Sequence, residues 1–227
     1  MQYLGSKKRI AKHILPIILK SRNENQPYIE PFAGGMNMID KVDGIRIAND
    51  NNYYLIELFK ALQQGWTPPD NITKEEYMDI KDNKDNYPPQ LVAFVGFLCS
   101  FGGKWFGGYA KNKIGTNYCQ SGKKVLLKQI KSLMDVQLLN QSYDQIEYPP
   151  ESLIYCDPPY YQTTEYKDKF DSCRFYEWVK TMTNEGHTIY FSEYSAPEEF
   201  RLVWSMEVKT NLNRNQPTKR IENLYTM

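Results

Sequence analysis

The chain has 227 residues, 41% hydrophobic and 14% aromatic, enough for one sizeable core plus a small accessory lobe and too few for two large domains. No apolar run approaches the roughly 18 residues of a membrane span, and the opening MQYLGSKKRI lacks the apolar centre of a signal peptide, so a cytoplasmic protein is expected. Four cysteines without a CxxC pair and two histidines give no zinc or disulfide framework, and no metal is expected.

From Lys7 to Ser21, apolar residues recur at helical spacing (Ile10, Ile14, Ile17, Ile18), which predicts an amphipathic helix capped by Ser6 and disturbed by Pro16. Tyr28-Ile29-Glu30-Pro31-Phe32-Ala33-Gly34-Gly35 reads as a strand breaking into a glycine turn, with a helix from Met36 and a second strand at Ile45–Ala48. Asp50 closes that strand, and Tyr54–Leu62 returns to helical periodicity. The unit is predicted to be a βαβ of the nucleotide-binding kind.

Between Gly65 and Tyr87 the chain turns polar, with one short helix expected over Lys74–Lys81. Leu91–Phe101 is an apolar run long enough for a buried helix, expected to anchor a small core of its own. Gly102–Gly122 is glycine-rich, basic and aromatic and reads as a surface loop, followed by a helix over Lys123–Met134. A short strand over Val136–Leu139 comes next, and then the strand Leu153–Cys156 runs straight into Asp157-Pro158-Pro159-Tyr160. A helix over Ser172–Thr183, a strand over His187–Phe191, a short helix near Pro197–Leu202, a strand near Val203–Lys209 and an irregular end complete the chain.

Two of these segments carry chemistry. A glycine turn after an acid-ended strand lets backbone approach a nucleotide-like ligand, and Asp50, 16 residues beyond Gly34, can accept both hydroxyls of a ribose. The turn lacks the full G-x-G-x-x-G, which disfavours a pyrophosphate and suits a ligand with a ribose and no phosphate. Asp157-Pro158-Pro159-Tyr160 is more specific, because a given four-residue string arises by chance in such a chain with a probability of about 0.001. An exocyclic amine of a base offers two N–H donors, and its lone pair is delocalised into the ring. The Asp157 carboxylate and the Pro158 carbonyl, held extended by Pro159, can each accept one donor and favour a more tetrahedral nitrogen, while Tyr160 stacks on the base.

A base inside a duplex has to flip out to reach such a pocket. The net charge is only +1, yet Asn86–Met134 contains seven lysines and no acidic residue. Within it, Lys104, Lys111, Lys113, Lys123 and Lys124 are candidates for phosphate contacts, and Trp105 and Tyr109 for filling the gap left by the base. These residues alone leave open adenine N6, cytosine N4, an RNA or protein amide, or a binding module that keeps a degenerate cofactor fold.

The order of motifs resembles the Dam-type, D12-class DNA N6-adenine methyltransferases, and in particular their compact phage-encoded members, over nearly the whole chain. The resemblance implies a Rossmann-like, mainly parallel seven-stranded α/β sheet formed by residues 1–60 and 136–227, with a mainly helical target-recognition insertion at 61–135. It implies S-adenosylmethionine as cofactor, S-adenosylhomocysteine as product, double-stranded DNA as partner, and neither a metal nor an obligate protein partner. It assigns Tyr3 and Lys7, Glu30, Phe32 and Gly34, Asp50 and Asp157 to the cofactor, and Asp157, Pro158, Pro159 and Tyr160 to catalysis. Phe191-Ser192-Glu193-Tyr194 falls where that family lines the pocket, and Met36 stands where some members carry a third small residue.

Overall fold

A computed structural model describes residues 1–111, 115–159, 170–210 and 218–227. Three residues, Lys7–Arg9, form a 3-10 turn whose start is capped by Ser6 Oγ accepting from Lys8 N, and helix α1 follows at Ala11–Ile18 with Pro16 inside it. The helix expected from Lys7 onward is therefore divided and shorter. Strands β1 (Tyr28–Glu30) and β2 (Arg46–Asn49) are buried at every position, as strands covered on both faces must be.

Between them the helix expected from Met36 is absent. Gly34 and Met36 take φ of 47° and 53°, a left-handed backbone that cannot propagate a right-handed helix, and only a 3-10 turn forms at Ile39–Lys41.

Helix α2 (Tyr53–Gln63) is capped by the Asn52 side chain, and α3 (Lys74–Asp82) starts in a reciprocal capping box between Thr73 and Glu76. Helix α4 (Pro89–Leu98) begins on a proline at its first position and is buried from Val92 to Leu98. Such a helix is apolar all round because it stands in the middle of a core. Helix α5 spans Tyr118–Gln129, earlier than expected, because Asn117 caps it by accepting from Gln120 N.

The separate small core expected around α4 is corrected. Val92–Leu98, Tyr77, Leu126 and Ile130 belong to the same apolar cluster as Ile14, Tyr28, Met36 and Phe59, so the helical segment and one face of the sheet share a core.

Strands β3 (Gln137–Leu139) and β4 (Leu153–Cys156), helix α6 (Ser172–Asn184) and strand β5 (Thr188–Glu193) follow. In place of the expected short helix and irregular end, the chain closes with a long hairpin of β6 (Arg201–Thr210) and β7 (Thr218–Thr226). The hairpin covers the otherwise unpaired edge of β5 and buries Leu224 and Tyr225. The result is a mixed seven-stranded sheet in the order β3-β2-β1-β4-β5-β7-β6, parallel through β5 and antiparallel beyond it. A second cluster, rich in aromatics from α6, covers the other face.

The segment before α5 is a loop as expected among its described residues, but its aromatics are packed rather than available. Trp105 packs against Tyr54, Phe97 and Phe106, and Tyr109 lies against Tyr77 and donates its hydroxyl to Ile72 O at 2.8 Å. Gly96, in mid-helix, makes the slot: a Cβ there would stand 2.6 Å from Trp105 and 2.8 Å from Phe106. Gly96→Ala is expected to destabilise the fold by about 1–3 kcal/mol through overpacking. A melting temperature unchanged from wild type would contradict this account of the lobe.

Among the described residues, no helix is long and apolar enough to cross a membrane.

Candidate active site

The parallel strands end together, and their last residues build the site. In open α/β sheets ligands bind outside the carboxyl ends of the strands, where the chain turns away and backbone groups are left available. Glu30 ends β1, Asp50 follows β2, Asp157 follows β4 and Glu193 ends β5.

Asp50 is held by backbone. Its Oδ2 accepts from Gly34 N at 2.8 Å and its Oδ1 from Asn52 N at 2.9 Å, which joins the glycine turn to the end of β2. Each carboxylate oxygen keeps a further lone pair, so a vicinal diol can still be accepted. Burial pushes the Asp50 carboxyl upward, opposed by the hydrogen bonds from Asn52 and Gly34.

The turn is crowded on one side. A Cβ at Gly34 would lie 2.9 Å from the Tyr3 ring, and one at Gly35 would lie 2.8 Å from Tyr3 Cβ. Tyr3 in turn meets Phe97 of α4, with 5.4 Å between ring centroids. Beneath the turn, Gln129 Nε2 donates to the carbonyls of Gly35 and Met36 and to Asp40 Oδ2, each at 3.0 Å. The last residue of α5 therefore fixes the backbone of the glycine turn.

Glu30 is buried, with Oε1 accepting from the Tyr28 hydroxyl at 3.0 Å. Burial drives its carboxyl well above the usual range, with Asp40 and Asp157 adding to the rise and the Tyr28 bond and Lys41 opposing it. Phe32, after β1, packs against Tyr143, Phe170 and Phe175 at 5.2–6.0 Å between centroids.

Lys7 is the site's buried cation. Its Nζ lies 2.8 Å from Asp157 Oδ1 and 3.6 Å from Glu222 Oε2, and it donates to Gly5 O at 3.4 Å. Burial opposes the charge, but Asp157 and Glu222 outweigh it, so the ammonium pKa is raised. Pro158 is buried directly after Asp157, and Pro159 is half-buried. Tyr160 lies outside the described residues, and so does Lys113.

Several site neighbours carry no sequence signal. Glu222 and Arg220 come from β7, and Arg220 Nη1 donates to the Tyr194 hydroxyl at 2.8 Å. Asn140 Nδ2 donates to Asp50 O at 2.7 Å. Of the 191–194 segment, Phe191 is fully buried against Phe175 and Phe200, and Ser192 shares a 2.8 Å hydrogen bond with the Tyr155 hydroxyl, so both serve packing.

Of the lysines, Lys104, Lys111 and Lys124 are exposed, while Lys123 lies 2.8 Å from Asp70. No group of three or more His, Cys, Asp and Glu side chains is placed to hold a metal ion among the described residues.

This seven-stranded α/β sheet gathers at its strand ends a glycine turn, two half-buried aspartates and a buried glutamate, at the place where open α/β sheets take their ligands. Residues 3–92 match the family model of the D12 class N6 adenine-specific DNA methyltransferases, a stretch that contains Tyr3, Lys7, Glu30, Gly34 and Asp50. No curated protein matches the chain. Among solved structures, one titled "Crystal structure of SMU.472, a putative methyltransferase complexed with SAH" is similar at a TM-score of 0.41 and 11% identity, over 100% of this chain and 54% of that one. The chain thus spans about half the length of that structure.

Proposed function

We propose that the protein transfers a methyl group from S-adenosylmethionine to N6 of an adenine flipped out of duplex DNA. The observation that carries this is the meeting of two halves at one sheet edge: the Asp50–Gly34 contact on β2 and β1, and Asp157, paired with Lys7, on the adjacent β4.

The donor set fits the cofactor. Asp50 can take the ribose hydroxyls, and the glycine turn, walled by Tyr3, admits a ligand against bare backbone. Glu30 gains its charge when a cationic amino group arrives to pair with it, and Phe32 with Tyr143 offers an aromatic wall. Bound there, S-adenosylmethionine supplies an electrophilic methyl on a sulfonium sulfur and leaves as S-adenosylhomocysteine.

The chain's own residues act on the amine. Asp157 accepts one N–H and the Pro158 carbonyl the other, so the nitrogen pyramidalises and its lone pair turns toward the methyl. Asp157 then accepts the proton that the methylated nitrogen loses. Much of the remaining barrier reduction is positional, since the reactants are held in line. Tyr160, next in sequence, is the residue assigned to stack on the base.

Residues 61–135 serve as the target-recognition insertion, with Lys104, Lys111, Lys113, Lys123 and Lys124 meeting phosphates. Because Trp105 and Tyr109 are packed in this conformation, their entry into DNA would require the lobe to open, and the lysines are the stronger candidates.

Incubating the purified chain with methyl-labelled S-adenosylmethionine and duplex DNA is expected to put label in the DNA. Label that stays in the cofactor pool, from protein shown to bind S-adenosylhomocysteine, would overturn the reading.

A further inference from the structure

The proposed methyl transfer uses Asp157 and assigns no part to Glu222. Yet Glu222 is largely buried, with a side chain 13% exposed, and approaches a lysine that already has a carboxylate partner at 2.8 Å. Glu222 adds a second carboxylate to that ammonium and so builds a cluster of charges held largely out of bulk water. Charge clusters of that kind concentrate at functional sites.

The topology explains how Glu222 gets there. The pairing of β5 with β7 ends at Glu193 opposite Asn223, so Glu222 is the first residue of β7 beyond the end of β5. It is held there by β6, where it sits opposite Met206. The hairpin thus carries a carboxylate over the catalytic edge of the sheet.

We propose that Glu222 is a positioning residue for methyl transfer, resting on the adenine reading above: from β7 it pins the Lys7 ammonium against Asp157 Oδ1 and so fixes the orientation in which Asp157 meets the amine. Among the described residues, charged and titratable groups facing Lys7 include Asp157 after β4, Glu222 on β7 and Tyr194 after β5. Behind them stand Glu30 and Tyr155, while Arg220 pairs with Tyr194. Among these, Asp157 and Glu222 oppose the effect of burial on Lys7 most strongly.

Removing the charge of Glu222 should therefore let Lys7 lose its proton at lower pH. The test compares wild type, Glu222→Gln and Glu222→Asp by nitrogen-15 NMR titration of the Lys7 ammonium, by the pH profile of kcat and by melting temperature. In Glu222→Gln, Lys7 is expected to titrate at lower pH and the alkaline limb of kcat to move with it. At neutral pH kcat should fall about tenfold while KM for DNA changes little. Glu222→Asp, which keeps the charge, should recover part of the loss and bring the titration back toward wild type.

Wild-type titration and an unshifted profile in a folded Glu222→Gln protein would overturn the proposal. Should Glu222→Gln fail to fold, an Asp variant with a wild-type Lys7 titration and a kcat profile unchanged in shape and height would do the same. A wild type that methylates no adenine would refute the adenine reading alone, because the Lys7 titration still reports whether Glu222 holds it.

Discussion

Asp157→Asn is expected to lower kcat by about a thousandfold or more while leaving S-adenosylhomocysteine affinity within a few-fold of wild type, as for the loss of a group that acts mainly in the transition state. The substitution keeps size and shape, so the result separates chemistry from folding. Asp157 already accepts from the Lys7 ammonium at 2.8 Å, and in the proposed complex it would accept from the amine of the target as well. A carboxylate can accept from both, whereas a carboxamide has one oxygen and one NH2 group, and whichever way it turns a donor faces a donor. It also cannot take the proton that the methylated nitrogen releases. Single-turnover kinetics with calorimetry of S-adenosylhomocysteine checks the split. Retention of more than a tenth of wild-type kcat would remove Asp157 from the chemistry.

The second large effect falls on Glu30, and it has opposite signs for stability and binding. Glu30 has a carboxyl pKa raised well above its ordinary value, first by burial and then by Asp40 and Asp157. A carboxyl raised in the folded state keeps its full stability contribution below its unfolded pKa and loses it as pH rises through the folded value. Glu30→Gln should therefore stabilise the ligand-free protein at pH 8, by an amount of order 1 kcal/mol, or about 2–4 °C in Tm for a chain of this size. The gain should vanish near pH 4, where Glu30 is protonated in both states.

The same change removes the charge that a cationic amino group would meet, so cofactor affinity should fall by about 10–100-fold. Thermal melts at the two pH values and a binding titration test both halves. A variant that is less stable at pH 8, or binds as wild type does, would contradict this account of Glu30.

The residues of the candidate site at the sheet edge were readable in the sequence and their support was hidden, for physical reasons. Strands β1, β2, β4 and β5 are short apolar runs cut off by Pro, Gly or acidic residues, and the buried helix α4 announces itself by continuous apolarity. Glu30, Gly34, Asp50 and Asp157 are legible because they sit where such runs stop. Lys7 resembles a solvated lysine at a helix start, and only tertiary structure shows that it is 8% exposed between Asp157 and Glu222.

Glu222 had no local signal, because β7 does not alternate cleanly between apolar and polar residues and its place is set by the unpaired edge of β5. Met36 misled for a related reason: the segment is apolar enough for a helix, but the turn beneath Tyr3 needs a left-handed backbone at Gly34 and Met36. Trp105 and Tyr109 read as part of a surface loop because glycines surround them, while the slot that receives Trp105 is made by Gly96, on another element.

The central claim is that this sheet edge methylates the exocyclic amine of adenine in DNA, and the modified nucleoside itself is its most direct test. Duplex DNA incubated with the wild-type protein and S-adenosylmethionine, digested to nucleosides and analysed by mass spectrometry, is predicted to contain N6-methyladenine, and the same DNA treated with Asp157→Asn is predicted to contain almost none. N4-methylcytosine without N6-methyladenine, or equal N6-methyladenine from both proteins, would contradict it.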